Sequence, residues 1–207
     1  MKKKWIAITS AVCLTFILTL TLVNINSQGN GNTSKEPTIS RIEASFAIDT
    51  SDKKQTIGDS DYVFVAKVIN ETKTIYKDPI QIETENGTKE VSSPYTVYSI
   101  EVVDNIKGNL KKNTSFEIEK EGGLSEDGNI VCLYEDDELL KQDTYYILLG
   151  YAQPDGSILV SGPNSSIMLN VDSKSDIQKS SEFKDYKKSL ENEIVRNRNR
   201  YKSKYEE

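Results

Sequence analysis

A mainly β domain, either a barrel or a sandwich, is the fold this sequence predicts. Three observations lead to it. Short runs of β-branched and aromatic residues recur between residues 62 and 171. Turn chemistry separates them, as at Asn86-Gly87, Gly122-Gly123 and Pro154-Asp155-Gly156. Few helical patterns are interleaved, which disfavours a parallel α/β sheet. The 207 residues suffice for one domain with additions, and eleven tyrosines against five prolines suit a strand-rich folded chain.

The first element is apolar. Lys2, Lys3 and Lys4 precede an uncharged run of 19 residues from Trp5 to Val23. As a helix it would reach roughly 28 Å, close to a hydrocarbon core of about 30 Å. Two readings stay open over residues 1–27: a secretory signal peptide cleaved near Ser27, or an uncleaved membrane anchor. A third is a lipoprotein acylated at Cys13, against which Val12 stands where a small residue is expected. In each case the lysines stay inside and the remainder is extracytoplasmic, secreted or anchored to the cell membrane. Residues 28–59 then form a tether and lead-in; Gln28 to Ser34 is rich in Gly, Asn and Ser.

The strands follow in order. Tyr62 to Ile69 is the first. A long excursion leads to Asn86-Gly87, and its flanks, Ile80 to Thr84 and Thr88 to Val91, can extend it as a hairpin. In the strand Tyr95 to Val103, the face of Thr96, Tyr98, Ile100 and Val102 is the more apolar one. Thr114 to Glu119 alternates as a half-buried strand. Ile130 to Tyr134, Tyr145 to Tyr151, Ile158 to Ser161 and Ile167 to Val171 complete the set, the Tyr145 run being apolar enough for a central position.

The period then changes. Phe183, Tyr186, Leu190, Ile194, Asn197, Tyr201 and Tyr205 are spaced by three or four, one face of an amphipathic helix within residues 173–207, capped by Ser180 or Ser181. Its second half carries Arg196, Arg198, Arg200, Lys202 and Lys204. These read as a solvated basic helix end or as a contact to anionic lipid or wall polymer.

Composition excludes several functions. Histidine is absent, so there is no Ser-His-Asp or Cys-His pair, no imidazole zinc ligand and no histidine-held haem. Residues 1–27 hold three lysines and no acid, and residues 180–207 hold eight basic and six acidic side chains. Within a formal charge of -6, residues 28–179 therefore carry -11. An acidic body disfavours nucleic acid. Cys132, in a strand context without a neighbouring cation, reads as a small buried hydrophobe. Glu135-Asp136-Asp137-Glu138 reads as a solvated loop or as a Ca²⁺ site, although the spaced D-x-D-x-D-G pattern is missing. No phosphate-binding glycine loop is present and no pair of acids stands out for glycoside hydrolysis. Hence no catalytic, cofactor-binding or metal-ligating residue is assigned, and no cofactor is expected.

The order of motifs resembles a known family. Ser60-Asp61-Tyr62-Val63-Phe64-Val65-Ala66-Lys67-Val68 looks like the opening strand of netrin-like domains, the OB-type barrels that include the tissue inhibitors of metalloproteinases. The run Tyr98 to Val102 with Ile106-Lys107-Gly108 is similar, as are Asp143 to Gly150 with Asp155-Gly156 and a closing helix containing Lys187-Lys188-Ser189-Leu190. The likeness spans roughly residues 60–195. It is stronger to exported bacterial proteins of unknown role that share the Asp-x-Val-Phe-Val start. It implies an OB-like barrel over residues 60–172. It does not carry protease inhibition over, because the inhibitors chelate zinc through an N-terminal cysteine and residues 28–131 contain none.

The sequence therefore points to an exported, noncatalytic binding module for an extracellular protein, glycan or envelope polymer. It would meet the membrane only through an uncleaved N-terminal segment. An inhibitor of an extracellular hydrolase is the alternative, and a carboxylate-dependent envelope enzyme the third reading. The surfaces singled out are the excursion between Ile69 and Tyr95 and the Gly122 to Glu138 loop.

Overall fold

The structure, a computed structural model, describes residues 36–85 and 87–207. The apolar run, Cys13, the linker through Ser34 and the Asn86 turn tip lie outside the described residues. Among those described, no helix is long and apolar enough to cross a membrane.

Among the described residues, nine strands and two α-helices make a mainly β fold. In chain order they are β1 (Thr38–Ile42), α1 (Lys53–Asp59), β2 (Tyr62–Thr84), β3 (Gly87–Lys107), β4 (Ser115–Glu121), β5 (Gly123–Leu124), β6 (Ile130–Tyr134), β7 (Tyr145–Ala152), β8 (Ile158–Val160), β9 (Ser166–Leu169) and α2 (Ser181–Leu190). A 3-10 turn over Lys174–Lys179 leads into α2. Six strands lie in the order β2-β3-β4-β8-β7-β9, and β7 also pairs with β2, so the sheet curls into a partly closed form. The β4–β8 contact is parallel and the other pairings of this sheet are antiparallel. A second sheet, β1-β6-β5, stands beside it.

Period-two alternation builds two cores from one strand. Tyr62, Phe64, Ala66 and Val68 of β2 enter the interior of the curled sheet with Tyr98, Ile100, Phe116, Ile118, Leu148 and Ile158. Val63 and Val65 point outward and pack with Ile147, Leu149, Ile57 of α1, and Phe183 and Tyr186 of α2. Burial on both faces explains why β2 and β7 read as nearly unbroken apolar runs. The expected inner face of β3, with Tyr98, Ile100 and Val102, is the observed one.

The hairpin expected from Ile80 to Thr84 and Thr88 to Val91 forms, and it is continuous with the first strand, so that β2 and β3 run as a two-stranded arm to the Thr84–Gly87 pair. Two elements differ from expectation. The lead-in is structured, since β1 pairs in parallel with β6 and α1 is capped by Asp52, whose side chain accepts from the Lys54 amide at 2.9 Å. The C-terminal helix begins on a Ser180 cap as expected but ends at Leu190, and residues 191–207 run without helix across the body. In a helix, Arg196–Arg200, Arg198–Lys202 and Arg200–Lys204 would be like-charged neighbours at i, i+4, which disfavours that form.

The acidic run folds inward at one point. Asp137 is 3 % exposed, and both its oxygens accept from Lys120 Nζ at 2.8 Å; Lys120 is fully buried. Lys120 continues the inward alternation of Phe116 and Ile118 on β4, so a cation lands where an apolar residue would. Burial pushes the Lys120 ammonium toward its neutral form, and Asp137 opposes this by charge and hydrogen bonding. Glu138 instead stays outside and pairs with Arg41 at 2.7 Å. The run is thus neither a wholly solvated loop nor a shared ligand set.

Asp137→Leu would strand the Lys120 charge. It should cost about 3–5 kcal/mol, whereas Lys120→Met with Asp137→Leu should recover most of that or exceed wild type. Urea denaturation of the two variants reads the difference, and a double variant as unstable as the single one would contradict it.

Candidate functional site

The two surfaces singled out in the sequence meet. Beyond Pro94 the arm leaves the sheet, while the chain after β4 turns away at Gly122-Gly123. These glycines have φ of 109° and 149°, left-handed conformations that side chains resist. A Cβ on Gly123 would also lie 2.5 Å from Thr96 Oγ1. The divergence opens a groove of about 300 Å³. Ile80 and Val91, cross-strand partners on the arm, form one wall. Ile42, Cys132 and Tyr134 form the other, and Pro94 and Gly122 the floor.

The groove is apolar within an acidic frame. Ile80 is 60 % exposed and Ile42 48 %, high values for large aliphatic side chains facing one depression. Glu121 is the charged residue on the lining itself, and the segments that contribute the lining, residues 42–43, 78–93 and 121–136, hold ten acidic residues and one lysine, Lys89, with Arg41 and Lys77 adjoining them. Glu121 is already committed: it accepts from the Tyr134 hydroxyl at 2.7 Å and from the Ser161 hydroxyl. Burial pushes the half-buried Cys132 thiol up, with Asp127 adding to the shift. Cys132 therefore contributes an apolar wall rather than a thiolate.

Two strands contribute lining residues at places where each has one sheet neighbour, β1 through Ile42 and β3 through Val91 to Ser93. Among the described residues, β1 pairs only with β6, and β3 beyond Pro94 pairs only with β2. Open edges offer a row of N–H and C=O groups to an added strand.

The basic C-terminus lies elsewhere and is internally engaged. Its arginines alternate along an extended strap and grip α1 and the turn after it. Arg196 Nε donates to Asp59 Oδ1 at 2.8 Å, Arg198 Nη2 to Asp61 Oδ1 at 2.7 Å and Arg200 Nη1 to the same Asp61 oxygen at 2.9 Å. Farther on, the Ser203 amide donates to the Tyr62 hydroxyl at 2.8 Å, and Tyr205 stacks on Phe116 with centroids 4.1 Å apart. The expectation of a solvated helix end is corrected: these residues are not helical, and the three arginines pair with aspartates of the same chain. Period-two arginine spacing, with Asp59 and Asp61 likewise two apart, was the available signal.

Burial alone would raise the Asp59 carboxyl, but Arg196 and Arg198 outweigh it and hold it below the ordinary carboxylate range. Burial, reinforced by Glu206, pushes the Tyr62 hydroxyl up to about 12, so it stays a neutral donor to Glu206 at 2.5 Å.

No three His, Cys, Asp or Glu side chains gather to hold a metal ion among the described residues. No protein-family model and no curated protein matches this sequence.

The strap yields two expectations. A carboxyl depressed in the fold contributes stability above its unfolded value, about 3.9, and loses it as pH falls through the folded value. Asp59→Asn should therefore lower the melting temperature at neutral pH and narrow its gap to wild type below about pH 3; a gap independent of pH would contradict the pairing. Gly58 is also constrained, since a Cβ there would lie 2.1 Å from the Ile194 carbonyl oxygen. Gly58→Ala should lift the strap and speed tryptic cleavage after Arg196, Arg198 and Arg200, and an unchanged digestion rate would refute the close approach.

Proposed function

We propose that the protein is an exported, noncatalytic binding module whose groove receives an extended, apolar and cationic segment of another polypeptide. The observation that carries this is the coincidence of exposed aliphatic walls, two open strand edges and an acidic frame. Main-chain pairing would supply affinity, alternate side chains would seat on Ile80, Val91 and Ile42, and the carboxylates would select for basic partners. The bundled readings of glycan or envelope polymer fit this groove less well, because its side chains offer few free hydrogen-bonding groups.

An OB-like barrel of the netrin type is the finer fold proposed. It is supported by the strand order around the curled sheet, by the single parallel contact between β4 and β8, and by the helices packed outside. An extracytoplasmic location is supported by the basic start and the apolar run of residues 2–23. These fold and location readings stand apart from the groove, because the same barrel serves unrelated roles.

The test uses the full chain in detergent micelles and fluorescent peptides of about ten residues alternating Val with Lys or Val with Glu. The Val-Lys peptide should bind and the Val-Glu peptide should not. Ile80→Glu should weaken binding roughly tenfold or more, since a buried aliphatic side chain is worth about 1.5–3 kcal/mol. Its melting temperature should stay near wild type because Ile80 is exposed. Equal binding of both peptides, or no effect of Ile80→Glu, would reject the groove as the site.

A further inference from the structure

A second depression lies between the strap and the turn before β9; its lining residues differ from those of the groove, and the two meet where Phe46 packs edge-on against Tyr134 at 5.6 Å between centroids. It encloses about 400 Å³ and is lined in part by Phe46, Tyr151, Gln153, Asn164, Arg196 and Tyr201. That size suits a small organic ligand. We propose that this cleft binds a carboxylate-bearing sugar, such as a uronic acid unit.

Among the charged residues lining the cleft, Arg196 and Arg198 outnumber Asp59, opposite to the charge of the body. Arg200 and Asp61 pair with each other outside the lining. Arg198 is spent: it bonds the Asp59 carbonyl, Asp61 and the Asn199 carbonyl. It also lies over the Tyr151 ring, 5.2 Å from its centroid. Arg196 is only half used. Its Nε and Nη2 hold Asp59 at 2.8 and 3.3 Å, while Nη1 makes no bond within the described residues. Its side chain is 42 % exposed. Arg196 lines the cleft, and a guanidinium that one carboxylate holds through Nε and Nη2 still has donors for a second carboxylate.

The rest of the lining suits the body of a sugar. Phe46 and Tyr201 are partly exposed aromatic rings, surfaces on which the C–H face of a pyranose can lie. Gln153 and Asn164 each commit their amide nitrogen to a backbone carbonyl, Tyr151 O at 3.1 Å and Thr50 O at 3.1 Å. Their side-chain oxygens are left as fixed acceptors for hydroxyl groups. A bare inorganic anion would use Arg196 and waste the aromatic rings and the amide oxygens. A neutral sugar would leave the guanidinium edge unpaired. The carboxylate-bearing sugar uses both.

Calorimetric titration of the full chain in detergent with sodium glucuronate, glucose and sodium acetate tests this. Glucuronate should bind saturably and at least about tenfold more tightly than either of the others. Tyr201→Ala, at an exposed position, should weaken glucuronate at least about threefold. Arg196→Gln should erase the preference for glucuronate over glucose. Because that change also loosens the strap, Arg196→Lys provides a check: it keeps a cation beside Asp59, and should lower the preference at least about threefold through loss of the planar fork. Ile80→Glu in the groove should leave glucuronate binding unchanged, so this site and the groove stand or fall separately. No saturable glucuronate binding, acetate binding as tightly as glucuronate, or a preference intact in both Arg196 variants would overturn the proposal.

Discussion

Strand β2 must satisfy two hydrophobic cores at once, and most of the architecture follows from how it does so. Its even-numbered residues from Tyr62 to Val68 fill the curled sheet, while Val63 and Val65 need cover on the outside. The cover comes from α1 and α2, which are distant in sequence and share that outer core. A one-residue slip of β2 against β7 would exchange the two sets, placing the Phe64 ring against the helices and leaving valines to fill the interior. The register is therefore set by volume as well as polarity. Past Val68 neither core continues, and the strand emerges as an arm whose faces contact mainly solvent.

The polar seam at the end of the chain completes the closure. The helix cover ends at Leu190, and the strap crosses α1 and the turn entering β2, where Asp59 and Asp61 are nearly buried. Burying two carboxylates without partners would be costly. The arginines remove that cost only in an extended conformation, because side chains two apart share a side of an extended chain and not of a helix. Lys120 and Asp137 obey the same rule elsewhere. The inward position on β4 is occupied by a charge, and the acidic loop bends to meet it. In both places pairing of buried charges decides where an irregular segment runs.

Legibility in the sequence divides along this line. Alternation and turn residues were enough to place the strands from Tyr62 to Leu169, apart from the two-residue β5, and the inner face of β3. The Ser180 cap marked the start of α2. Both surfaces singled out for binding turn out to border one groove. What was hidden depended on partners far along the chain. The aromatic spacing from Phe183 to Tyr205 obeys a helical period and the arginines from 196 to 200 obey a period of two; only Asp59 and Asp61 decide between them. Lys120 broke a clean alternation by one residue, and its partner sat inside a run of acids that looked solvated as a unit. The structured lead-in was hidden because β1 is short and contributes no buried residue, held by pairing with β6 and by Arg41 rather than by burial.

An open strand edge flanked by aliphatic side chains is a hazard unless something limits what can dock there. The arm and the small sheet carry Ile80, Val91 and Ile42 beside unpaired backbone, the pattern that promotes association between copies. Their framing segments, however, hold ten acids and one lysine. Two copies meeting groove to groove would bring these carboxylates together, and like-charge juxtaposition across an interface costs several kcal/mol. The same charges would favour a cationic strand. On the proposed reading, the acidic frame serves solubility and selectivity together: it repels a second copy of the chain and leaves the edge available to a partner of opposite sign.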